Sequence, residues 1–168
     1  MPSMKKIDFE NSLGLVIKNA SKSLERALEV ELRGQYGLSG GQWKVILSLS
    51  AQNGLSQKDL AERIFVDSTT LVPIIDSMEK KGLVERRTDP KDRRNNNVFL
   101  TAKSESFVDP IIDIILRMRK IFFKNISEND LEFTKNVLKK LTVNADSYLA
   151  KNDGKTQQPL IKNLRTKE

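Results

Sequence analysis

The sequence predicts a mainly α-helical protein with one small β-hairpin, and three observations support this prediction. Apolar residues recur every three or four positions over long stretches, which is the spacing of amphipathic helices. Helix-start signals follow one another closely between residues 38 and 71. The helical spacing then stops at Gly82, where two short β-compatible runs enclose a basic, Asn-rich turn.

Length and charge narrow the class of protein. With 168 residues, the chain is expected to form one domain, or one domain with a helical extension. Its formal net charge of +7 favours an acidic partner: nucleic acid, an anionic membrane surface or an acidic protein. Charge alone does not choose among these partners.

The chain contains neither cysteine nor histidine, and this excludes several kinds of chemistry. Disulfides, thiolate metal ligands and cysteine-based oxidant sensing are impossible. Catalysis would depend on carboxylate, Lys, Ser or Tyr groups, and the acidic residues lie at helix starts or along solvent faces. We therefore expect no enzyme, no catalytic residue, no metal and no cofactor.

No apolar run approaches the length needed to cross a bilayer, and the N-terminus lacks an apolar signal core. A soluble cytoplasmic protein is the expectation, with no membrane partner.

The first predicted helix begins near Phe9 and ends near Gly34 or Gly37. Ser39, followed by Gln42, predicts the N-cap of a second helix, with Trp43 as its largest core anchor. Ser56 and Asp67 predict the caps of two further helices, ending near Arg63 and Lys81. Residues 64–66 alone link those two helices, and this spacing is typical of a helix-turn-helix.

The C-terminal part is again rich in apolar residues. A helix from Thr101 is expected to be interrupted early by Pro110, and its apolar residues cover more than one face. Burial against both the parent domain and a partner chain explains this excess. Ser127 caps a last helix to about Ala150, and residues 151–168 are either a disordered basic tail or a poorly anchored helix.

Two segments are candidates for contact with DNA. In a helix-turn-helix the exposed start of the second helix meets base edges, and here this start presents Ser68, Thr69, Thr70 and Pro73. Threonine and serine hydroxyls can donate or accept hydrogen bonds there. The alternative is that Ser68 to Thr70 are ordinary first-turn residues, although Pro73 removes a helix hydrogen bond and calls for compensation.

The hairpin carries an excess of basic residues, and its acidic residues are placed to orient neighbouring arginines. Guanidinium groups held in this way suit phosphates and a narrow minor groove. The alternative is a solvated charge run. The basic candidates are Arg86, Lys91, Arg93 and Arg94, and the bracing candidates are Asp89 and Asp92.

The order of these motifs resembles the MarR family of winged-helix transcriptional regulators. The resemblance rests on residues 56–63, 67–72 and 79–86, on Asp-x-x-Asp-Arg-Arg at 89–94, and on Leu-Thr at 100–101, and it covers residues 9–150. Ser104 departs from the glycine that the family often has there, the tail is long, and the absence of cysteine rules out the family's thiol-oxidation signal.

The resemblance implies a winged helix-turn-helix flanked by long N- and C-terminal dimerisation helices. Segments 1–37 and 102–150 would form the dimer, 38–101 would bind double-stranded DNA, and 151–168 would be a basic tail. Arg94 would enter the minor groove, braced by Asp92, and the α-helical candidates would enter the major groove. The residues expected at the dimer interface are Leu13, Ile17, Ile111, Ile115, Phe122 and Leu141.

The function expected from these features is that of a homodimeric, sequence-specific DNA-binding regulator. It would act as a repressor on a pseudo-palindromic operator, with release by a small-molecule effector of unknown identity. Two alternatives remain: a DNA-coating protein without sequence preference, and a winged-helix module for protein contacts. Survival of binding in excess nonspecific DNA separates them, because only a regulator keeps its site.

Overall fold

The structure is a computed structural model, and it describes residues 8–89 and 96–152. It confirms a mainly α-helical chain with a small antiparallel sheet. The elements in chain order are α1 (Leu13–Tyr36), α2 (Gln42–Ala51), β1 (Leu55–Ser56), α3 (Gln57–Arg63), α4 (Ser68–Lys80), β2 (Val84–Thr88), β3 (Asn96–Leu100), α5 (Ala102–Glu105), α6 (Val108–Phe122) and α7 (Glu128–Asn152). The chain divides into two compact units, residues 1–122 and 123–168.

Local capping explains where α3 and α4 begin. The Ser56 hydroxyl accepts a hydrogen bond from the Asp59 N–H at 3.1 Å, and the Asp67 carboxylate accepts one from the Thr70 N–H at 2.7 Å. Both predicted caps are confirmed. The predicted Ser39 cap is wrong, since α2 begins at Gln42 and its N-cap position is Gly41.

The ends of α3 and α4 share one backbone pattern. After α4, the N–H groups of Gly82 and Leu83 donate back into the last turn, and Gly82 adopts a left-handed φ of 66°. After α3, Phe65 and Val66 make the equivalent bonds, with Phe65 at φ 58°. A position that favours glycine therefore holds an aromatic residue in the turn between the two helices.

A single apolar core in the first unit joins α2, α3, α4 and α6 with the sheet and the end of α1. Trp43 was predicted as its largest anchor, but it is only partly buried and packs against the edge of this core. The largest fully buried side chains are Leu32, Leu38, Ile46, Leu49, Leu60, Leu71, Ile75, Met78 and Ile111, with Val45, Val84 and Val98.

The sheet has the strand order β1-β3-β2, with both pairs antiparallel. The β2–β3 hairpin is confirmed, whereas the two-residue strand β1 was not predicted. β3 is paired on both sides at Asn97 and Val98, and Val98 lies opposite Leu55 of β1 and Arg86 of β2. Gly54 precedes β1 with φ 78°, and a Cβ there would lie 2.7 Å from the Phe99 ring. A side chain at position 54 would therefore require the Phe99 ring to move, in addition to the strained backbone.

Residues 102–122 form two helices, which corrects the prediction of a single helix interrupted at Pro110. The break lies between α5 and α6, and Pro110 sits in the first turn of α6, where a missing N–H costs little. Ser104, fully buried, forms a capping box with Thr101 and donates from its hydroxyl to the Leu83 carbonyl at 2.5 Å. This bond ties α5 to the start of the hairpin.

The exposed apolar face of α6 differs from the one expected. Ile111 is fully buried, and Ile115 and Phe122 are partly buried against the core, so these three residues point into their own unit. The exposed apolar residues of α6 are Ile112, Leu116 and Ile121. On α1, Leu13 is exposed and Ile17 partly buried. α6 is apolar on more than one face, as expected. The dimer interface itself stays a prediction.

The second unit is described through α7. Ser127 caps its start by accepting from the Asp130 N–H at 3.1 Å, as predicted. No residue of α7 is buried, and its exposed apolar side chains recur at helical spacing. They are Phe133, Val137, Leu141, Val143, Tyr148 and Leu149.

Candidate nucleic-acid interface

The start of α4 projects an exposed, polar turn from a buried helix. Ser68, Thr69, Thr70 and Pro73 are all exposed, as the sequence predicted. The opposite side of α4 is fixed by burial of Leu71, Ile75 and Met78 in the core. This pattern leaves the N-terminal half of α4 available to enter a groove of DNA.

α2 holds α4 in place by close packing at one point. A Cβ at Gly41 would lie 2.9 Å from the Ile74 Cδ1 atom, so the glycine lets the start of α2 approach α4. Gln42, which is buried, donates from its side-chain amide to the Ser77 hydroxyl at 3.3 Å. These contacts from α2 thus position α4, the helix expected to read bases.

Asp67 organises the exposed turn itself. Its carboxylate accepts hydrogen bonds from the hydroxyl of Thr69, from the N–H of Thr70 at 2.7 Å and from the hydroxyl of Thr70 at 2.9 Å. These bonds lower the pKa of Asp67 to about 2, the Thr69 hydroxyl having the largest effect. The sequence identified Asp67 only as a helix cap and did not reveal its hydrogen bonds to the hydroxyls of Thr69 and Thr70.

Arg86 has a different position from the one expected of a wing residue. Its guanidinium lies 2.6 Å from Asp76 and 2.6 Å from Glu79, both on α4, and donates to Gln57 of α3 at 3.1 Å. Partial burial opposes the charge, but the bonds to the two carboxylates outweigh it and raise the pKa of Arg86. Arg86 therefore connects the hairpin to both helices instead of extending to a partner.

Arg87, the next residue, points to the other side of the strand. Its side chain is largely exposed, pairs with Glu85 and stacks on the Phe99 ring at 4.5 Å. The stacking holds a guanidinium near the surface of the hairpin. The alternation of side chains along a strand could have separated these two arginines from the sequence alone.

The remaining wing candidates are described only in part. Asp89 accepts a hydrogen bond from the Asn97 amide at 3.2 Å, which links the two strands near the tip. Lys91, Asp92, Arg93 and Arg94 lie outside the described residues. Their roles at the DNA and as braces stay predictions.

Within residues 8–89 and 96–152, no group of acidic side chains is arranged to hold a metal ion. No described helix is long and apolar enough to span a membrane.

Part of the chain that carries this surface is similar to known proteins. Residues 38–95 match the sequence profile of the MarR family. The HTH-type transcriptional regulator SarZ of Staphylococcus aureus is 33% identical over 96 residues, which are 57% of this chain and 64% of SarZ. The chain therefore spans less than two thirds of the length of that relative.

Solved structures show the same fold at low sequence identity. A structure on the regulation of DNA binding of Bordetella bronchiseptica BpsR by 6-hydroxynicotinic acid superposes with a TM-score of 0.74, 19% identity and coverage of 82% of this chain and 98% of BpsR. A mutant MarR from E. coli complexed with operator DNA superposes with a TM-score of 0.73, 24% identity and coverage of 80% and 99%.

The winged-helix fold is shared with these structures. Together with the similarity to SarZ, these findings show that residues 38–95 are similar to the MarR family.

Proposed function

We propose that this protein is a sequence-specific, double-stranded-DNA-binding transcriptional regulator. The observation that carries the proposal is the exposed polar start of α4, held rigidly by burial of Leu71 and Ile75 and flanked by a basic hairpin. Similarity to SarZ, which is named as a transcriptional regulator, and to a MarR structure complexed with operator DNA supports the same role. The proposed DNA partner implies action in the cytoplasm.

On this proposal the two arms of the surface have different tasks. Ser68, Thr69, Thr70 and Pro73 contact base edges in the major groove. Lys91, Arg93 and Arg94 contact the backbone and the minor groove, with Asp89 and Asp92 as braces. Arg87 joins these contacts because its guanidinium is exposed on the hairpin, and Arg86 is left out because α3 and α4 already engage it.

We further propose that two copies bind as a homodimer through α1, α6 and α7. Each of these helices carries exposed apolar side chains that water contact disfavours, Leu116 and Leu141 among them. An isologous dimer binds a pseudo-palindromic site with half-site centres about 10 to 10.5 base pairs apart, or a multiple of that distance. On this proposal, binding to the operator blocks transcription, so the protein acts as a repressor.

Release by a small-molecule effector completes the proposal. It draws on BpsR, whose DNA binding is regulated by 6-hydroxynicotinic acid. Because the chain has no cysteine, its signal is not thiol oxidation.

The test is selection of bound duplexes from a random pool, followed by titration of an enriched duplex in excess nonspecific DNA. A regulator enriches a two-fold symmetric sequence and keeps binding it under competition. A DNA-coating protein loses the enriched duplex under competition. A protein-interaction module binds neither the selected duplexes nor the nonspecific DNA. Either of these results would overturn the proposed function.

Two substitutions divide the surface. Arg94→Ala is expected to weaken binding to most sequences and to lower the slope of log K against log salt by about 0.9. Thr70→Ala is expected to relax preference at one base position by about 1 kcal/mol and to leave the salt slope nearly unchanged. Equal losses on operator and random DNA for Thr70→Ala, with an intact fold, would show that α4 does not read sequence.

A further inference from the structure

The first turn of α4 contains a closed hydrogen-bond network around Asp67. One carboxylate oxygen, Oδ1, accepts from the hydroxyl of Thr69 and from the backbone N–H of Thr70. The other, Oδ2, accepts from the hydroxyl of Thr70 at 2.9 Å. Both threonines are exposed, so their hydroxyl oxygens face whatever contacts this turn.

The positions of the hydroxyl protons follow from the charge of the carboxylate. An ionised carboxylate can only accept hydrogen bonds, and each threonine hydroxyl has a single proton to donate. The low pKa of Asp67 keeps its carboxylate ionised at physiological pH. Both protons are therefore held by Asp67, and the lone pairs of Thr69 and Thr70 that face outward can only accept.

Pro73 adds a third acceptor to the same surface. In a regular helix the N–H of residue 73 would donate to the carbonyl of Thr69, four residues earlier. Proline has no N–H, so this carbonyl lacks its usual helix donor. The exposed side of the first turn of α4 thus presents the oxygens of both threonine hydroxyls with no free proton from either.

This arrangement discriminates between groups on DNA. The adenine N6 and cytosine N4 amino groups are donors in the major groove, whereas guanine O6 and N7 and thymine O4 are acceptors. Phosphate oxygens are acceptors as well, and they are repelled by the Asp67 charge. The two threonine hydroxyls, which only accept hydrogen bonds, are matched to the exocyclic amino groups.

We propose that Asp67 is a specificity-determining residue of the α4 surface, acting through Thr69 and Thr70. By holding their hydroxyl protons, it directs these residues to the amino groups of adenine or cytosine and disfavours guanine and thymine at the same positions. The inference rests on the proposed DNA-binding function, which it deepens by naming the base chemistry that is read.

Asp67→Asn tests the proposal because it reverses the direction in which the Thr70 hydroxyl proton points. Asparagine caps helices as well as aspartate does. Its Oδ1 must stay on the Thr70 N–H, which places its Nδ2 amide beside the Thr70 hydroxyl, where it donates. The Thr70 proton then turns outward, and the residue becomes a donor at the base edge. The preferred base at that position should change from adenine or cytosine to guanine or thymine.

The experiment is selection from a random duplex pool, carried out in parallel with the wild type and three variants. Thr70→Val keeps the shape of the side chain without the hydroxyl, so the base position whose preference it changes is the one that Thr70 contacts. Glu62→Gln removes one exposed negative charge from α3 and serves as the matched charge control. Circular dichroism melting shows whether each variant is folded.

We expect the wild type to favour adenine or cytosine about five-fold at the Thr70 position, a ratio that corresponds to one net hydrogen bond. Thr70→Val should remove this preference, Asp67→Asn should reverse it, and Glu62→Gln should leave it unchanged. The wild-type and Thr70→Val pools test the inference even if Asp67→Asn fails to fold.

Two results would overturn the inference while the proposed function stands. The first is an enriched operator in which Thr70→Val changes no position, and the second is a wild-type preference for guanine or thymine at the position that it changes. An unchanged preference in folded Asp67→Asn would also overturn it. Failure of the wild type to enrich any sequence would instead overturn the proposed function, and the inference with it.

Discussion

Arg86 of β2 and Asp76 of α4 form a 2.6 Å ion pair that fixes the base of the hairpin against the second helix of the helix-turn-helix. The Arg86 N–H also donates to Glu79 at 3.2 Å, so backbone and side chain are both engaged. Since Arg86 reaches Gln57 as well, one side chain sets the relative position of α3, α4 and the wing.

Removing the Arg86 side chain should weaken the attachment of the hairpin to α3 and α4 without unfolding the domain. Arg86→Ala is expected to lower the free energy of unfolding by about 1 kcal/mol, because the two carboxylates are partly exposed and water replaces much of the interaction. Urea denaturation measures the change. Arg87→Ala is the matched control, and its more exposed guanidinium should contribute less than about 0.5 kcal/mol. Equal effects of the two substitutions would contradict the proposed role.

Phe65 should be replaceable with a gain in stability. Its left-handed backbone costs about 1 kcal/mol for a non-glycine residue, and its exposed ring returns little packing energy. Phe65→Gly is expected to raise the free energy of unfolding by about 0.5 to 1 kcal/mol, as measured by denaturant or thermal unfolding. Phe65→Ala keeps the strain while removing the ring, so it should show no such gain. A loss of stability in Phe65→Gly would mean that the ring makes a stabilising contact.

The Asp67 network predicts a pH dependence of stability with a definite sign. Folding stabilises the ionised form of the Asp67 carboxylate, since its pKa falls from 3.8 to about 2 on folding. This contribution is present above about pH 4 and is lost as the pH falls toward 2. The Asp67→Asn variant has no titrating group at this position. The difference in free energy of unfolding between the wild type and this variant should therefore change only between about pH 4 and pH 2. Parallel stability curves down to pH 2 would refute the prediction.

The faces of α6 predict two different outcomes for neighbouring apolar positions. Leu116→Glu places a charge on an exposed face, so it should dissociate the proposed dimer and leave the fold intact. Ile111→Ala opens a cavity in the core and should cost about 2 to 5 kcal/mol of stability. Sedimentation equilibrium together with circular dichroism distinguishes the two effects. A wild-type monomer at micromolar concentration would rule out the proposed dimer.

Local signals predicted the elements well because capping and turn chemistry are properties of adjacent residues. Ser56, Asp67 and Gly82 each act within four residues of their own position, and the structure places α3, α4 and the hairpin accordingly. The proposed major-groove residues could be identified for the same reason, since an amphipathic helix shows in its sequence which side is polar.

Tertiary contacts account for what the sequence did not predict. The alternation of side chains along β2 places Arg86 and Arg87 on opposite faces, but only the position of α4 decides which of them is engaged. α6 is apolar on adjacent faces, so its spacing could not determine whether Ile111 or Ile112 packs inward. β1 is too short to show an alternating pattern, and it exists because β3 offers an edge to pair with.

The central place of β3 limits how the hairpin of a protein like this one can change in length. Val98 aligns with Leu55 on one side and with Arg86 on the other. A single residue inserted at the base of β3 would turn Val98 out of the core, and one inserted at the base of β2 would turn Arg86 away from Asp76, because side chains alternate between the two faces. Insertions and deletions that keep the fold are therefore confined to the tip, where the reach of the arm can be adjusted without altering its attachment.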